Sequence, residues 1–324
     1  MIDPAALLLS DPSPALRSRV LTELLDVDPA DPELLDASRQ LATDDHDPAD
    51  GAEGSFRALC WSLCRSAYVG RTAADPRVAA VAERVFAEQQ ADGSFPLGRF
   101  RPGREPGPYS MAPLQVALPL RGLAMAGYAT DPRAERAYQW LLDVQLADGS
   151  WPVGESHGQP GYIAGYRKLP GAQGCRTTTQ GAIACLVLHP ELARSDHVRR
   201  PLDLLLQRET REVWSLGTDV ARLTGRETPR GFFTFYADFD LAMILDLASR
   251  AGASPDDPRV RELVDFITGL RGPYGLWEHP QHPELSRWLT FDLALSLRRL
   301  ATGDWTGIAP RVPFRAYRKR SPRH

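Results

Sequence analysis

Apolar residues recur with helical spacing after each of three Asp-Pro-Arg tripeptides in the chain. After the first tripeptide, the residues at i, i+3, i+4, i+7 and i+8 are apolar and share one face of a helix: Val78, Val81, Ala82, Val85 and Phe86. Asp can cap the free amide groups of a helix, and Pro fits its first turn. These segments are therefore predicted to be amphipathic outer helices.

More uniformly apolar segments alternate with these amphipathic ones, at residues 56–68, 112–128, 180–188, 235–251 and 287–300. A helix that is apolar over most of its circumference is buried on more than one side. The pattern predicts hairpins that each pair one outer helix with one buried inner helix.

The hairpin unit repeats about every sixty residues. Asp75, Asp131 and Asp257 each open a copy, and fourteen residues later each copy has a glycine-containing turn that ends in an aromatic residue. A degenerate copy between Asp196 and Trp214 fills the gap. Such units must stack on neighbours to bury their apolar faces. The periodicity alone allows either an open solenoid or a closed ring.

Composition excludes several classes of protein. The chain has 38 basic and 41 acidic residues, a net charge of −3, which is too balanced for binding nucleic acid through a basic surface. Its four scattered cysteines form no disulfide framework, which favours a reducing compartment. The first residues lack a secretory signal, and no apolar stretch reaches 18 residues. We therefore expect a cytoplasmic protein that binds no nucleic acid.

The turns at residues 89–95 and 145–151 read Gln-x-x-x-Gly-x-aromatic, and residues 271–277 are a degenerate copy. They resemble the QW repeats of the terpenoid cyclase and protein prenyltransferase superfamily. The segments 174–190 and 285–291 also look like a group of bacterial prenyltransferase-like proteins of unknown reaction.

This resemblance implies an all-α fold, an α/α toroid of alternating inner and outer helices. We expect the toroid to cover residues 55–305. An N-terminal helical cap or diverged first repeat at residues 1–54 precedes it, and a basic flexible tail at residues 306–324 follows it.

The segment Asp238-Phe-Asp240-Leu-Ala-Met resembles the Asp-x-Asp-Asp-Thr-Ala segment of class II cyclases similar to squalene-hopene cyclase, with Leu241 in place of the last Asp. In that family the middle Asp protonates an alkene, so the resemblance implies that Asp240 is the acid and Asp238 its support. However, Phe239-Asp240-Leu-Ala recurs as Phe291-Asp292-Leu-Ala. A helix-start role in which backbone amides satisfy the carboxylate is therefore an open alternative.

Aromatic side chains of the inner segments are expected to line a central cavity, where their π faces can stabilise a carbocation. Two arginines of the long insertions are expected at its mouth. The resulting substrate-binding residues are Trp61, Phe232, Phe235, Tyr236, Trp288, Asp292, Arg176 and Arg230.

No metal and no cofactor is expected. Prenyltransferase β-subunits hold zinc with an Asp-x-Cys pair and a distant His, but the chain contains no Asp-x-Cys, and Phe291 stands where the His ligand would be. A glycine-rich phosphate-binding loop is also absent from the sequence.

Two functions follow from these observations. The first is acid-initiated cyclisation of an isoprenoid or another apolar polyene inside the toroid. The second is non-catalytic binding of a lipid or peptide, or subunit assembly, on the same scaffold. A partner subunit or oligomer is compatible with both. The tail at residues 311–324 contains five Arg and one Lys and is expected to contact anionic lipid peripherally.

Overall fold

The computed structural model describes residues 4–43, 56–95, 113–152, 155–156, 159–160, 169, 171–207, 214–227 and 238–308. The α-helices of these residues are α1 (Ala5–Leu9), α2 (Pro14–Arg19), α3 (Pro32–Thr43), α4 (Phe56–Tyr68), α5 (Pro76–Phe86), α6 (Pro113–Leu123), α7 (Pro132–Asp143), α8 (Arg176–Leu186), α9 (Asp196–Leu206), α10 (Thr218–Leu223), α11 (Leu241–Arg250), α12 (Pro258–Gly269) and α13 (Ser286–Leu300).

Shorter elements accompany these helices. A π-helical turn extends α2 (Val20–Leu24) and another extends α6 (Ala124–Tyr128), and a 3-10 turn (Pro283–Leu285) precedes α13. Two antiparallel strands of two residues each, β1 (Glu155–Ser156) and β2 (Gln159–Pro160), lie in the insertion before α8. No helix of the described residues is long and apolar enough to cross a membrane.

The inner helices form a closed ring. Helix α4 packs against α6, α6 against α8, α11 against α13, and α13 against the π-helical turn of α2. Gln180 of α8 contacts Met243 of α11, with 3.2 Å between Nε2 and Sδ. The ring closes because Arg19, at the end of α2, donates to the carbonyl oxygen of Tyr68 at the end of α4. The fold is therefore the predicted all-α architecture, an α/α toroid.

The outer helices each pack on the inner helix that precedes them in the chain: α3 on α2, α5 on α4, α7 on α6, α9 on α8, and α12 on α11. This confirms the predicted hairpin unit. The first hairpin, formed by α2 and α3, belongs to the ring, because α2 contacts α4 through Arg19 and its π-helical turn packs against α13.

The Asp-Pro-Arg tripeptides begin three outer helices, as predicted. The carboxylates of Asp75, Asp131 and Asp257 accept hydrogen bonds from the backbone amides two residues later, at 2.9, 2.8 and 2.9 Å. The arginine of each tripeptide folds back onto the same carboxylate through its guanidinium group. The tripeptide thus supplies a cap, a first turn and a counter-ion for the cap.

The glutamines of the QW-like turns link one hairpin to the next. Gln89 Nε2 donates to the carbonyl oxygens of Gly93, in its own turn, and Arg133, in the first turn of α7. Gln145 makes the equivalent pair of hydrogen bonds to Gly149 and His197. In the degenerate copy, Arg271 Nε donates to Gly275 O at 2.6 Å, so an arginine replaces the glutamine within the turn.

The aromatic residues of these turns are buried anchors. Phe95, Trp151 and Trp277 are at most 2% exposed. The two tryptophans donate from Nε1 to the carbonyl oxygens of Leu141 and Ile267 in the preceding outer helices. The turns therefore fix both the end of one outer helix and the start of the next.

A substitution at Gly93 tests the contact between the first QW-like turn and α7. Its φ is +92°, and a Cβ at this position would collide with the carbonyl oxygen of Arg136 in α7. Gly127 has a φ of +100°, but a Cβ there would meet no other atom within 4 Å, so this glycine is a matched control. We expect Gly127→Ala to lower the free energy of unfolding by about 1–2 kcal/mol, from backbone strain alone. Gly93→Ala should lower it by about 3 kcal/mol or more, because overpacking adds to the strain.

Urea denaturation of the two variants beside the wild type gives these values. Equal losses in the two variants would contradict the contact between the first QW-like turn and α7.

Candidate functional site

Asp240 is a cap for two helices. It precedes α11 as its N-cap, and its Oδ1 accepts hydrogen bonds from the amides of Ala242 (3.1 Å) and Gly217 (2.9 Å). Its Oδ2 accepts a third from the amide of Asp219 (2.8 Å), in the first turn of α10. The carboxylate therefore joins the start of α11 to the start of α10.

Helix α10 spans the ring from the α11 side to α4 and α6. Asp219 forms an ion pair with Arg121 of α6 at 2.7 Å, and Arg65 of α4 donates to the carbonyl oxygen of Arg222 at 3.1 Å. On the opposite side, His279 Nε2 lies 2.9 Å from the carbonyl oxygen of Gly217. Helix α10 thus fills part of the ring between the start of α11 and the carboxyl-terminal halves of α4 and α6, and Asp240 holds it in place.

The electrostatics of Asp240 follow from this position. Burial raises the pKa of the Asp240 carboxyl to about 6, while the hydrogen bonds from the three amides oppose the rise. The group is therefore mostly ionised at neutral pH. Asp238 lies outside the ring: its side chain is about half exposed and pairs with Arg222 at 2.8 Å. Two roles were open for Asp240, an acid that protonates an alkene and a helix-start residue that binds backbone amides. Its contacts match the helix-start role.

The cap role of Asp240 predicts a large stability effect. Asp240→Ala removes the acceptor of three backbone amides, and we expect the free energy of unfolding to fall by about 2–4 kcal/mol. Asp131→Ala is the matched control, since Asp131 accepts from a single backbone amide, and its loss should cost about 1 kcal/mol.

Chemical denaturation monitored by far-UV circular dichroism measures both effects. An Asp240→Ala protein as stable as the Asp131→Ala protein would contradict the two-helix cap.

A cavity of about 70 Å³ lies inside the ring, below α10 and towards the carboxyl ends of the inner helices. Every inner helix contributes to its wall, together with α10. The apolar part of the wall consists of Met125, Ala184, Leu188, Val220, Leu223, Ala242, Met243, Leu247 and Leu295. The polar part consists of Arg19, Tyr68, Arg121, Asp219, Asp246, Arg250, Asp292 and Arg299. We call this cavity the lumen pocket.

The charged side chains of the lumen pocket are paired, either within one helix or between two helices. Arg121 pairs with Asp219 as described, and Arg19 Nε lies 2.6 Å from Glu23 Oε1. Asp246 of α11 receives two guanidinium groups, from Arg250 at 2.8 Å and from Arg299 of α13 at 3.0 Å. Because unpaired charges in a protein interior are costly, this pairing keeps the polar wall compatible with folding.

Asp292 faces this polar wall. The hydroxyl of Tyr68 donates to Asp292 Oδ2 at 2.8 Å. Burial raises the pKa of the Asp292 carboxyl to about 7; the nearby Arg19 charge and the Tyr68 hydrogen bond counteract that rise, and the charges of Asp246 and Asp219 add to it. Asp292 is therefore the lumen carboxyl that exchanges a proton near neutral pH.

The other residues predicted to bind substrate are distributed as follows. Trp61 is buried in α4, and the ring of Trp288 packs on Tyr68 with 5.1 Å between centroids. Arg176 lies over the ring of Phe239 at 5.2 Å. None of these three lines the lumen pocket. The remaining four predictions, Phe232, Phe235, Tyr236 and Arg230, lie outside the described residues.

Within the described part of the chain, no group of three or more His, Cys, Asp and Glu side chains is arranged to hold a metal ion. The four cysteines are buried free thiols.

The sequence analysis missed most of the polar wall. Asp246 and Arg250 stand four residues apart in the otherwise apolar segment LAMILDLASR, and this spacing places them on one face of an inner helix. A charged pair inside a helix predicted to be buried is a signal that sequence alone offers. Which residues of other helices face the pair depends on how the ring closes.

Comparison with known proteins gives fold-level likeness. No protein-family model and no curated protein matches the chain. The chain is similar to a protein from Actinoplanes of known crystal structure, with 16% sequence identity and a TM-score of 0.45 over 92% of this chain and 88% of that one. It is also similar to the type II terpene cyclase MstE from Scytonema in its apo form, with 14% identity and a TM-score of 0.41 over 89% of this chain and 88% of that one.

Proposed function

We propose that this protein binds a small molecule in the lumen pocket. The observation that carries the proposal is a cavity whose wall includes side chains from every inner helix. Pockets enclosed by several elements, with an apolar wall and a few converging polar groups, are the usual form of small-molecule sites. The ring is thus a scaffold around one ligand site.

The ligand enters at the end where the inner helices finish. Asp246, Arg250 and Arg299 lie at that end, and their side chains are 30, 26 and 27% exposed although they line the cavity. On the other side of the pocket, α10 and its contacts with Arg121 and Asp240 fill the ring. Charged groups at an entrance remain hydrated until a ligand replaces the water.

The size of the lumen pocket limits the ligand. A volume of 70 Å³ corresponds to about two water molecules at about 30 Å³ each, so the ligand has only a few non-hydrogen atoms inside the ring. The wall is apolar where α8 contributes to it, and α11 and α13 contribute both apolar and charged side chains. Such a wall favours an amphipathic molecule with a short apolar body.

Filling the lumen pocket tests this proposal. Ala184 of α8 lines the pocket, and Ala184→Leu places additional methyl groups inside it. Ala87→Leu, at the exposed end of α5, is the matched control. In a saturation-transfer NMR screen of small amphipathic fragments, we expect signals for the wild type and for Ala87→Leu, and at least a tenfold loss for Ala184→Leu because the site is occupied.

Fragments that bind Ala184→Leu as well as the wild type would contradict a ligand site in the lumen, as would an absence of binders among all three proteins. Thermal unfolding of each variant checks that the loss of signal is not a loss of fold.

Acid-initiated cyclisation of an isoprenoid is the second candidate. It is favoured by the likeness of residues 238–243 to the class II acid segment and by the 3% exposure and raised pKa of Asp240. This activity requires Asp240 to give up amide hydrogen bonds and to face a lumen larger than 70 Å³. Contacts of the basic tail with anionic lipid, and assembly with a partner subunit, stay predictions under either candidate.

Incubation with squalene and linear prenyl diphosphates, followed by mass spectrometry, separates the candidates. Cyclisation predicts a cyclic product from the wild type and none from Asp240→Asn. Absence of product from the wild type, or equal product from the variant, removes the acid role of Asp240.

A further inference from the structure

We infer that the ligand of the lumen pocket is a small carboxylate with a short apolar body, and that Asp292 takes up one proton when this anion binds. The inference rests on the proposed function and specifies the chemical class of its ligand. It follows from the charges, the unused hydrogen-bonding atoms and the apolar wall of the pocket.

Protonation of Asp292 leaves the charges of the described lumen pocket, counted with Glu23, one negative charge short of balance. Two of its arginines have their own acid: Arg19 pairs with Glu23 and Arg121 with Asp219. Arg250 and Arg299 share the single carboxylate of Asp246. With Asp292 protonated, the wall therefore has one more positive than negative charge. A bound monoanion restores neutrality.

The two arginines that share Asp246 also have unused donors. Arg250 binds Asp246 through Nε alone, at 2.8 and 2.9 Å, and its terminal amino groups donate to no atom of the described residues. Arg299 donates to Asp246 through Nη1, while its Nη2 lies 3.8 Å from Glu23 Oε2, beyond hydrogen-bond distance. Burial lowers the pKa of Arg299, and repulsion by the neighbouring charge of Arg250 lowers it further. A carboxylate between the two guanidinium groups would relieve this repulsion and accept bidentate hydrogen bonds.

Asp292 supplies the third contact. Its Oδ2 accepts the Tyr68 hydroxyl, and its Oδ1 accepts no hydrogen bond from the described residues. A proton on Oδ1 makes this atom a donor towards the lumen, so a neutral Asp292 can bind the anion. An ionised Asp292 would instead repel it.

The groups around Asp292 set the pH at which its carboxyl takes up a proton. Arg19 of α2 and Tyr68 of α4 favour the ionised carboxyl, and Glu23 shields the Arg19 charge. Asp219 of α10 and Asp246 of α11 favour the protonated form. Their balance with burial gives the pKa of about 7.

The remaining charged neighbours also affect the equilibrium between ionised and protonated Asp292. Arg299, on the same helix as Asp292, and Arg250 of α11 oppose protonation until an anion neutralises them, and Arg121 is already paired with Asp219. A bound carboxylate adds a negative charge beside Asp292 and raises its pKa further. Above pH 7 the complex therefore gains a proton from solvent, without any covalent change.

The apolar part of the wall accepts hydrocarbon. Met125, Ala184, Leu188, Met243 and Leu247 present apolar side chains to the lumen pocket from α6, α8 and α11. A chain of about three carbon atoms fills the 70 Å³ cavity, so the carboxylate lies at its entrance, where Arg250 and Arg299 are partly exposed.

Butyrate and its neutral isostere butyramide are the probes that test this inference. Isothermal titration of the full chain at pH 6 is expected to give an affinity for butyrate at least tenfold higher than for butyramide. Above pH 7 the butyrate affinity should fall by about tenfold per pH unit, because one proton is linked to binding. Repeating the titration at pH 8 in two buffers of different ionisation enthalpy should show uptake approaching one proton per butyrate.

Two variants test whether Asp292 takes up the proton and whether Arg250 binds the carboxylate. Asp292→Asn keeps an acceptor for Tyr68 and a neutral donor for the ligand, so it should bind butyrate with equal affinity at pH 6 and pH 8.5 and with no proton uptake. Arg250→Gln should weaken butyrate binding at least tenfold and leave butyramide binding unchanged. Arg261→Gln, on the outer helix α12 and exposed to solvent, is the matched control and should change neither.

The outcomes separate the inference from the proposed function. If butyramide binds as tightly as butyrate at every pH, the carboxylate class is wrong and the lumen site stands. If butyrate binds without proton uptake by the wild type, the role of Asp292 is wrong, whatever the stability of the variants. If neither probe binds and the fragment screen finds no lumen ligand, both the carboxylate inference and the proposed function are wrong.

Discussion

The contact between the last inner helix and the first one is the constraint on which the structure depends. Arg298 of α13 donates to the carbonyl oxygens of Glu23 and Leu24 and pairs with Asp26, so it binds the end of the π-helical turn that follows α2. Arg19 of α2 lies over the ring of Phe291 in α13 at 4.7 Å. Because this seam holds, the stacked hairpins form a ring instead of an open curved stack.

Closure explains why the interior is charged. In an open stack, the polar residue of each inner helix could remain in water, whereas a ring directs these residues towards one another. Each charge must then find a partner inside the ring, on its own helix or on another, since an unpaired buried charge is costly. The pairs between Arg121 and Asp219 and between Arg299 and Asp246 satisfy this requirement. Asp246 is thereby shared by two arginines, and burial raises the pKa of the Asp292 carboxyl, which accepts the Tyr68 hydroxyl, to about 7.

Local sequence signals predicted the hairpins well. The Asp-Pro-Arg caps, the buried aromatic residues and the glutamines of the turns act within one hairpin or between two consecutive ones, so their spacing along the chain is sufficient evidence. The interior was harder to predict, because Arg19, Asp246 and Arg299 are isolated charges on separate helices. Their proximity depends on the closure of the ring, which periodicity left open and only the resemblance to QW-repeat proteins implied.

The two Phe-Asp-Leu-Ala segments show the limit of local patterns. Helix α11 begins at Leu241, so Asp240 is an N-cap whose carboxylate binds backbone amides. Helix α13 begins earlier relative to its copy, at Ser286 after the 3-10 turn, so Asp292 stands in its second turn and faces the lumen. A shift in helix start thus gives identical tetrapeptides different roles, and the sequence analysis assigned the acid to the first copy.

The distance between spin labels on either side of the seam tests ring closure most directly. Thr22 and Thr302 are exposed, and the four native cysteines are buried, so labels attached to Thr22→Cys and Thr302→Cys report on the seam alone. Double electron–electron resonance should give one narrow distribution at the short end of the measurable range. A long or broad distribution would contradict the closed ring, and with it the charged lumen pocket.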